Sequence, residues 1–198
     1  MESEDDRGAA EEVLPEDFPT LAAVARFTQA IPRVPWFEAL GEALAEAARA
    51  DASAYLSALG FPDAHVALVA TWDEAGEAAR NPEWDSTWWE AEEQLRAGLS
   101  AQAVDLVGEA EVMAALTHVG ASASEVVGKA AAAAAASADI ADQELVRAAS
   151  GAAIQGCHQA ALVLVAGAEE DHAFALKFRL FEAGRWPLGV VGTSFNLF

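Results

Sequence analysis

A chain of 198 residues, 54% of them apolar, is long enough to fold into one domain with a hydrophobic core. Its net charge of −21 excludes a protein that coats nucleic acid, because such a protein must bring cations to the phosphates. The same charge argues against an anionic membrane surface as the partner.

The cysteine count and the opening residues limit the class of protein further. The single cysteine, Cys157, excludes an internal disulfide bond and a zinc site built on cysteines. The first residues have neither the basic nor the apolar stretch of a secretory signal, so a cytoplasmic protein is expected. No apolar stretch approaches the roughly 20 residues of a membrane span, and none is expected. Abundant alanine favours helix over strand.

The predicted elements begin after an acidic tail. Residues 1–17 contain eight acids, one arginine and little apolar material, and are predicted to be disordered. Residues 18–198 are predicted to form a single helical domain. A short helix is expected over residues 20–31. A long helix is expected over 36–59, with Pro35 in its first turn.

The next segment combines an ambiguous apolar run with a clear helix start. The run that begins at His65 suits either a buried strand or a helix. Its alanine-rich flanks favour the helix, which is predicted over residues 65–80. Thr87 and Glu90 then match a capping box, in which each side chain satisfies an exposed backbone amide of the first turn. This pattern predicts a helix over 87–97.

Three further helices are predicted in the second half of the chain. One spans residues 100–120, and the next starts at Ser122 and continues through an alanine stretch. The longest starts at Asp139 or Asp142 and ends at Ala166. The middle of this helix consists of small residues, which let neighbouring helices approach closely. We therefore expect it at the centre of the bundle.

The C-terminal part differs in character. Residues 172–183 suit either a strand with alternating apolar side chains or a helix with a phenylalanine stripe, and the helix is preferred. In that helix Lys177 lies inside the apolar arc, and its amine is expected to reach water. Residues 186–198 predict a β-hairpin, because the apolar alternation changes parity at Gly192. The expected fold is mainly α, a bundle of about six to eight helices ending in a short β-hairpin.

No catalytic residue, metal site or cofactor is predicted. The histidines lack metal-ligand spacing, except that Glu169 and His172 match a Glu-x-x-His pair at a helix boundary. Cys157 and His158 are adjacent on a helix, so their side chains diverge by about 100° and cannot form a thiolate pair. The chain has no glycine-rich phosphate loop and no G-x-S-x-G motif. Whether it is an enzyme stays open, with the balance against it.

The most unusual segment, residues 72–93, holds four tryptophans among eight acids. Trp88 falls on the apolar stripe of its helix and is expected in the core. Aromatic rings among carboxylates suit the recognition of Arg or Lys, through charge and cation–π attraction. The same rings would also suit gaps between alanine-rich helices. The predicted partner-binding residues are Trp84, Asp85, Trp89 and Glu92.

A second candidate site lies on the predicted central helix. His158 is in line with the apolar residues one turn before and after it, which places its imidazole against the core. Gln155 and Gln159 lie on the neighbouring strip. These three residues predict a possible ligand pocket, and a histidine satisfied by a backbone carbonyl or a neighbouring side chain is the alternative.

Three classes of function remain. The leading one is a non-enzymatic acidic binding protein that neutralises a basic protein partner, as inhibitors and immunity proteins do. One alternative is a helical bundle that binds a small molecule or a metal in a pocket near His158. The other is a structural subunit of a larger assembly. Oligomeric state does not follow from the sequence.

Overall fold

The structure is a computed structural model that describes residues 19–198, and the predicted acidic tail, residues 1–17, lies outside this range. The described chain contains seven α-helices and three strands, which confirms the mainly helical bundle with a C-terminal hairpin. In chain order the elements are α1 (Pro19–Ala30), a short 3-10 turn (Ile31–Arg33), α2 (Glu46–Ala58), β1 (His65–Leu68), α3 (Trp72–Ala79), α4 (Ser86–Val107), α5 (Glu109–Ser137), α6 (Gln143–Val165), α7 (Ala173–Glu182), β2 (Pro187–Val191) and β3 (Ser194–Leu197).

Helix α6 lies at the centre of the bundle, where it contacts α1, α4, α5 and α7. It begins after Asp142, whose carboxylate accepts hydrogen bonds from the backbone amides of Glu144 and Leu145. Its small residues allow close packing, since a Cβ at Gly156 would lie 2.7 Å from the Phe181 ring of α7. Helix α6 has 23 residues and α5 has 29, so the prediction that α6 is the longest helix is wrong.

Within the described residues, α6 is long and apolar enough to cross a membrane by length and composition. However, 56% of its apolar window is buried inside the protein. The central helix of a folded bundle has these same properties. The apolar character of α6 is therefore only weak evidence for a membrane span.

The predicted helix over residues 36–59 is wrong in its first half, which forms turns before α2 begins. Phe37 has a φ of +62°, in the left-handed region that a right-handed helix does not contain. The guanidinium of Arg185 donates hydrogen bonds to two carbonyl oxygens of this loop, at 2.9 Å to Glu42 and 2.8 Å to Ala43. A residue from the far end of the chain therefore holds the loop.

The apolar run at His65 is strand β1, and the predicted helix over 65–80 is wrong there, because helix α3 starts only after the strand. β1 pairs in parallel with β3, with His65 opposite Ser194 and Leu68 opposite Leu197. β3 pairs antiparallel with β2, so the strand order is β1-β3-β2. A partner strand near the end of the chain decides the conformation of this run.

Helices α4 and α5 also differ from the predicted boundaries. Asp85 caps α4, because its carboxylate accepts the backbone N–H of Thr87 at 2.8 Å, and the predicted Thr87 capping box is wrong. Helix α4 continues through Ser100, whose hydroxyl donates to a carbonyl one turn earlier. The break falls at Gly108, which has a φ of +97°. Helix α5 then continues past Gly120 to its end.

The C-terminal elements agree with the preferred predictions. Residues 172–183 contain helix α7, whose first turn is capped by His172, since its Nδ1 accepts the N–H of Phe174 at 3.1 Å. Strands β2 and β3 form the hairpin, with Gly192 at a φ of +58° in the turn. The amine of Lys177 does not reach water as expected, because the residue is buried.

Candidate binding site at the start of helix α4

A pocket of about 270 Å³ lies between the start of α4, the middle of α6 and the start of β2. Helix α6 contributes Ala148, Ala152 and Gln155, which share one face because they are four and three residues apart. Gln155, from the predicted ligand pocket, therefore lines the same pocket as three of the predicted partner-binding residues, Trp84, Trp89 and Glu92. Four of the six tryptophans in the chain line it, namely Trp84, Trp88, Trp89 and Trp186.

Two of these tryptophans are exposed at the edge of the pocket. Trp84 is 37% exposed and Trp89 is 47% exposed, whereas Trp88 is buried as expected. The ring of Trp84 meets the Trp88 ring edge-on, with centroids 6.0 Å apart. A β-bridge to Val191 also holds the backbone of Trp84. Trp84 is therefore a fixed part of the rim.

A buried ion pair between α4 and α7 also lines the pocket. The Lys177 Nζ lies 2.6 Å from Oε1 and 2.9 Å from Oε2 of Glu92, and the side chains are 7% and 2% exposed, respectively. Tyr55 donates its hydroxyl hydrogen to Glu92 Oε1 at 2.6 Å. Trp88 in turn donates its indole N–H to the Tyr55 oxygen at 2.9 Å. Lys177 Nζ also lies 5.5 Å from the centroid of the Trp88 ring.

This polar network makes the inner part of the pocket electrically balanced. Glu92 accepts hydrogen bonds from both Lys177 and Tyr55, so each of its oxygens has a partner. Burying two charges costs several kcal/mol per ion, and only such a set of contacts offsets that cost. The network ties α2, α4 and α7 to one another.

Tyr55 provides a spectroscopic test of this network. Burial, together with the charge and the hydrogen bond of Glu92, raises the pKa of Tyr55 well above 10.0. The folded state therefore favours the neutral phenol. The resulting stability is fully present below about pH 10 and is lost as the pH rises toward the pKa of the folded protein.

Because Tyr55 is the only tyrosine, tyrosinate absorbance reports on this group alone. We expect that absorbance to appear only when alkali unfolds the chain, so that the absorbance and circular dichroism curves coincide. In urea, the same group should titrate near its ordinary pKa. A rise in absorbance near pH 10 without loss of circular dichroism would show that the phenol is not held in this network.

The structure places the predicted partner-binding residues in different environments. Trp84 and Trp89 lie on the surface, but Glu92 is buried with Lys177, so the expectation that Glu92 faces a partner is corrected. Asp85 is partly exposed, and hydrogen bonds from Thr87 lower its pKa, which shows that its carboxylate serves the helix cap. Of the four predicted partner-binding residues, the indoles of Trp84 and Trp89 therefore offer the exposed surface.

His158 lies at the interface of α6 and α5, next to Gly120. A Cβ at Gly120 would lie 2.6 Å from the imidazole Nε2, so this glycine makes room for His158 rather than ending α5. Burial lowers the pKa of His158, opposed in part by a hydrogen bond with the backbone of Leu116. Within residues 19–198, the Nε2 atom has no hydrogen-bond partner.

Gln159 is also separated from the pocket that Gln155 lines. Its side chain is buried, and neither of its amide atoms has a hydrogen-bond partner in the described part of the chain. The described pockets include Gln155 but neither His158 nor Gln159 among their lining residues. Of the three polar residues of the predicted ligand pocket, Gln155 alone therefore lines one of these four pockets.

Two further observations concern the cysteine and metal binding in the described residues. Burial raises the pKa of Cys157 to about 12, so its sulfur stays a thiol at neutral pH. Between residues 19 and 198, no group of three His, Cys, Asp or Glu side chains is arranged to hold a metal ion.

The fold and the site define a helical bundle with a small mixed sheet and a tryptophan-lined pocket at the start of α4. No family model matches the chain, and neither a curated protein nor a solved structure matches it.

Proposed function

We propose that the protein is a non-enzymatic acidic binding protein that neutralises a basic protein partner, in an inhibitor or immunity-type role. One observation carries the proposal. Among the described residues, the exposed aromatic side chains are Trp84 and Trp89, and both edge the same pocket. Tryptophan is enriched at the energetic centres of interfaces, because its ring supplies a large rigid contact area.

The charges beside these rings favour a cationic side chain. Glu83 and Glu90 adjoin the two tryptophans in sequence and are exposed. Two cations of α4 and α7 are already paired, Arg96 with Glu93 at 2.7 Å and Lys177 with Glu92. A guanidinium group suits this surface, because its planar face stacks on an indole while the carboxylates balance its charge.

The net charge of the chain supports the same partner class at longer range. A charge of −21 attracts a basic protein and raises the rate of association. This attraction is unspecific and is screened over about 8 Å at physiological salt. The short-range contacts of the two indoles would supply the specificity.

Trp89→Ala is expected to weaken binding of the partner by about 2 kcal/mol or more, close to a 30-fold increase in Kd. The melting temperature should stay unchanged, because Trp89 is 47% exposed and makes none of the hydrogen bonds of the buried network. The partner is first isolated with the full chain from its host. Its Kd for each purified variant is then measured by calorimetry.

Two further variants sharpen this test. Met113→Ala removes a large exposed apolar side chain from α5, 60% exposed, and should leave Kd unchanged. Glu90→Lys should chiefly slow association and weaken its salt dependence. The proposal fails if the protein that binds the chain is acidic, or if Trp89→Ala and Met113→Ala bind it equally well.

A further inference from the structure

A second cavity, a cleft of about 890 Å³, has a different set of lining residues from the tryptophan pocket. It lies between the loop that precedes α2, the start of α3 and the C-terminal part of α5. Its volume falls in the range of small-molecule sites, about 300–1,000 Å³. Trp and Phe rings, alanines, Leu40, Ile140 and a few polar residues line it.

The apolar walls of the cleft are held in place by contacts within the protein. Four buried aromatic residues line it, namely Trp36, Phe37, Trp72 and Phe198. Trp36 donates its indole N–H to the Ile31 carbonyl oxygen at 3.0 Å. The Trp72 and Phe198 rings meet edge-on, with centroids 5.4 Å apart. These contacts fix the positions of the rings, which are only 2–6% exposed, so the wall behind the more exposed lining residues is rigid.

The polar groups of the cleft have one sign of charge. Its lining residues include the exposed acids Glu38 and Asp73, and neither a lysine nor an arginine. The C-terminal end of α5 also lines the cleft, and a helix C-terminus carries partial negative charge.

The N-terminal end of α3, which also lines the cleft, is bonded by side chains of the protein itself. At the start of α3, the Glu74 N–H donates to the Thr71 hydroxyl at 3.2 Å, and the Glu74 carboxylate accepts the Ala70 N–H at 2.8 Å. The side chains of Thr71 and Glu74 thus accept hydrogen bonds from two backbone amides at the start of α3. The carboxylate of Glu74 also repels an incoming anion.

We propose that this cleft binds a small organic cation, with an aromatic or aliphatic body against its apolar walls and a positively charged amine toward Glu38 and Asp73. The carboxylates and the C-terminal end of α5 attract the positive charge of the amine. The inference is independent of the proposed partner binding at the start of α4.

Three probes with the same body test the proposal: 4-phenylbutylammonium, 4-phenylbutanol and 4-phenylbutyrate. They are titrated into the full chain at physiological salt by calorimetry. We expect saturable 1:1 binding of the ammonium probe, with a Kd about five- to tenfold lower than that of the alcohol, as expected for one or two exposed charge contacts. The carboxylate probe should show no saturable binding.

Substitutions locate the binding. Ala133 is exposed and lines the cleft, so Ala133→Trp should raise the Kd of the ammonium probe at least tenfold by filling the space. Ala132→Trp places the same ring on a neighbouring exposed position that does not line the cleft, and should leave Kd unchanged. Glu38→Gln with Asp73→Asn should remove the preference for the ammonium probe over the alcohol.

Several results would overturn the inference. Equal binding of the alcohol or the carboxylate removes the assignment of a cation, and absence of binding by all three probes removes the site. Equal Kd values for Ala133→Trp and Ala132→Trp place the binding elsewhere on this acidic surface. Both variants alter exposed positions, and their melting temperatures confirm that they are folded.

Discussion

Replacing Lys177 by Met is expected to lower the free energy of unfolding by about 3–5 kcal/mol, as when one partner of a buried ion pair is removed. The amine donates to both carboxylate oxygens of Glu92, and the pair is almost inaccessible to water. Methionine keeps an unbranched apolar side chain, so the change chiefly removes the charge. Urea unfolding at neutral pH, followed by circular dichroism, measures the effect.

Two controls separate the charge from the packing. In the double variant Lys177→Met, Glu92→Leu, we expect part of the lost stability to return, because no charge is left buried alone. Lys129→Met breaks the exposed pair with Glu125 and should leave the unfolding midpoint unchanged. The importance of the buried pair would be refuted if Lys177→Met and Lys129→Met unfolded at the same urea concentration.

The buried network also connects the stability of the bundle to the shape of the candidate site. Trp88 donates to Tyr55 and at the same time supports the exposed ring of Trp84. A change at Lys177 would therefore disturb both the core and the rim of the pocket. Trp89 takes no part in these hydrogen bonds. For this reason Trp89→Ala tests binding without changing the fold.

Elements that local signals define could be predicted from the sequence. Asp142 satisfies the first amides of α6, and Gly167 adopts a φ of +63° just past its end. Gly192 forms the turn of the hairpin. In each case the residue that decides the structure lies within a few positions of the element, so a reading of neighbouring residues is sufficient.

Elements that distant partners decide could not be predicted in this way. Strand β1 becomes a strand by pairing with β3, and Arg185 holds the loop before α2. Lys177 finds its counter-charge in Glu92, 85 residues earlier in the chain. Apolar periodicity shows which face of a helix is buried, but it does not show which residue of another helix meets that face.

One signal for the buried network was available in the sequence. Glu92 lies four residues after Trp88, so both residues face the same side of α4. Since Trp88 falls on the apolar stripe of its helix, the same spacing indicates that Glu92 is buried as well. A buried carboxylate requires a cation, and Lys177 lies in the apolar arc of α7. Tyr55 carries no comparable signal, because its contacts with Glu92 and Trp88 depend on how α2 packs against α4.

A chain that lacks residues 186–198 is not expected to show a cooperative unfolding transition near the melting temperature of the parent chain. The deletion removes β3, the middle strand of the sheet, and leaves β1 without its partner. It also removes Phe195 and Phe198, which are buried, and Phe195 packs on Tyr55 with centroids 5.5 Å apart. Thermal unfolding followed by circular dichroism measures the loss.

Single substitutions in β3 show whether this loss comes from its core side chains. Phe195→Ala alone is expected to cost about 3–5 kcal/mol, because it leaves a cavity against Tyr55 and the sheet. Ser194→Ala, at the adjacent, only partly buried position, should stay within about 0.5 kcal/mol of the parent. If the shortened chain stays soluble and melts cooperatively near the parent temperature, the prediction is wrong. The sheet then contributes little to stability, and packing between the helices is sufficient for the fold.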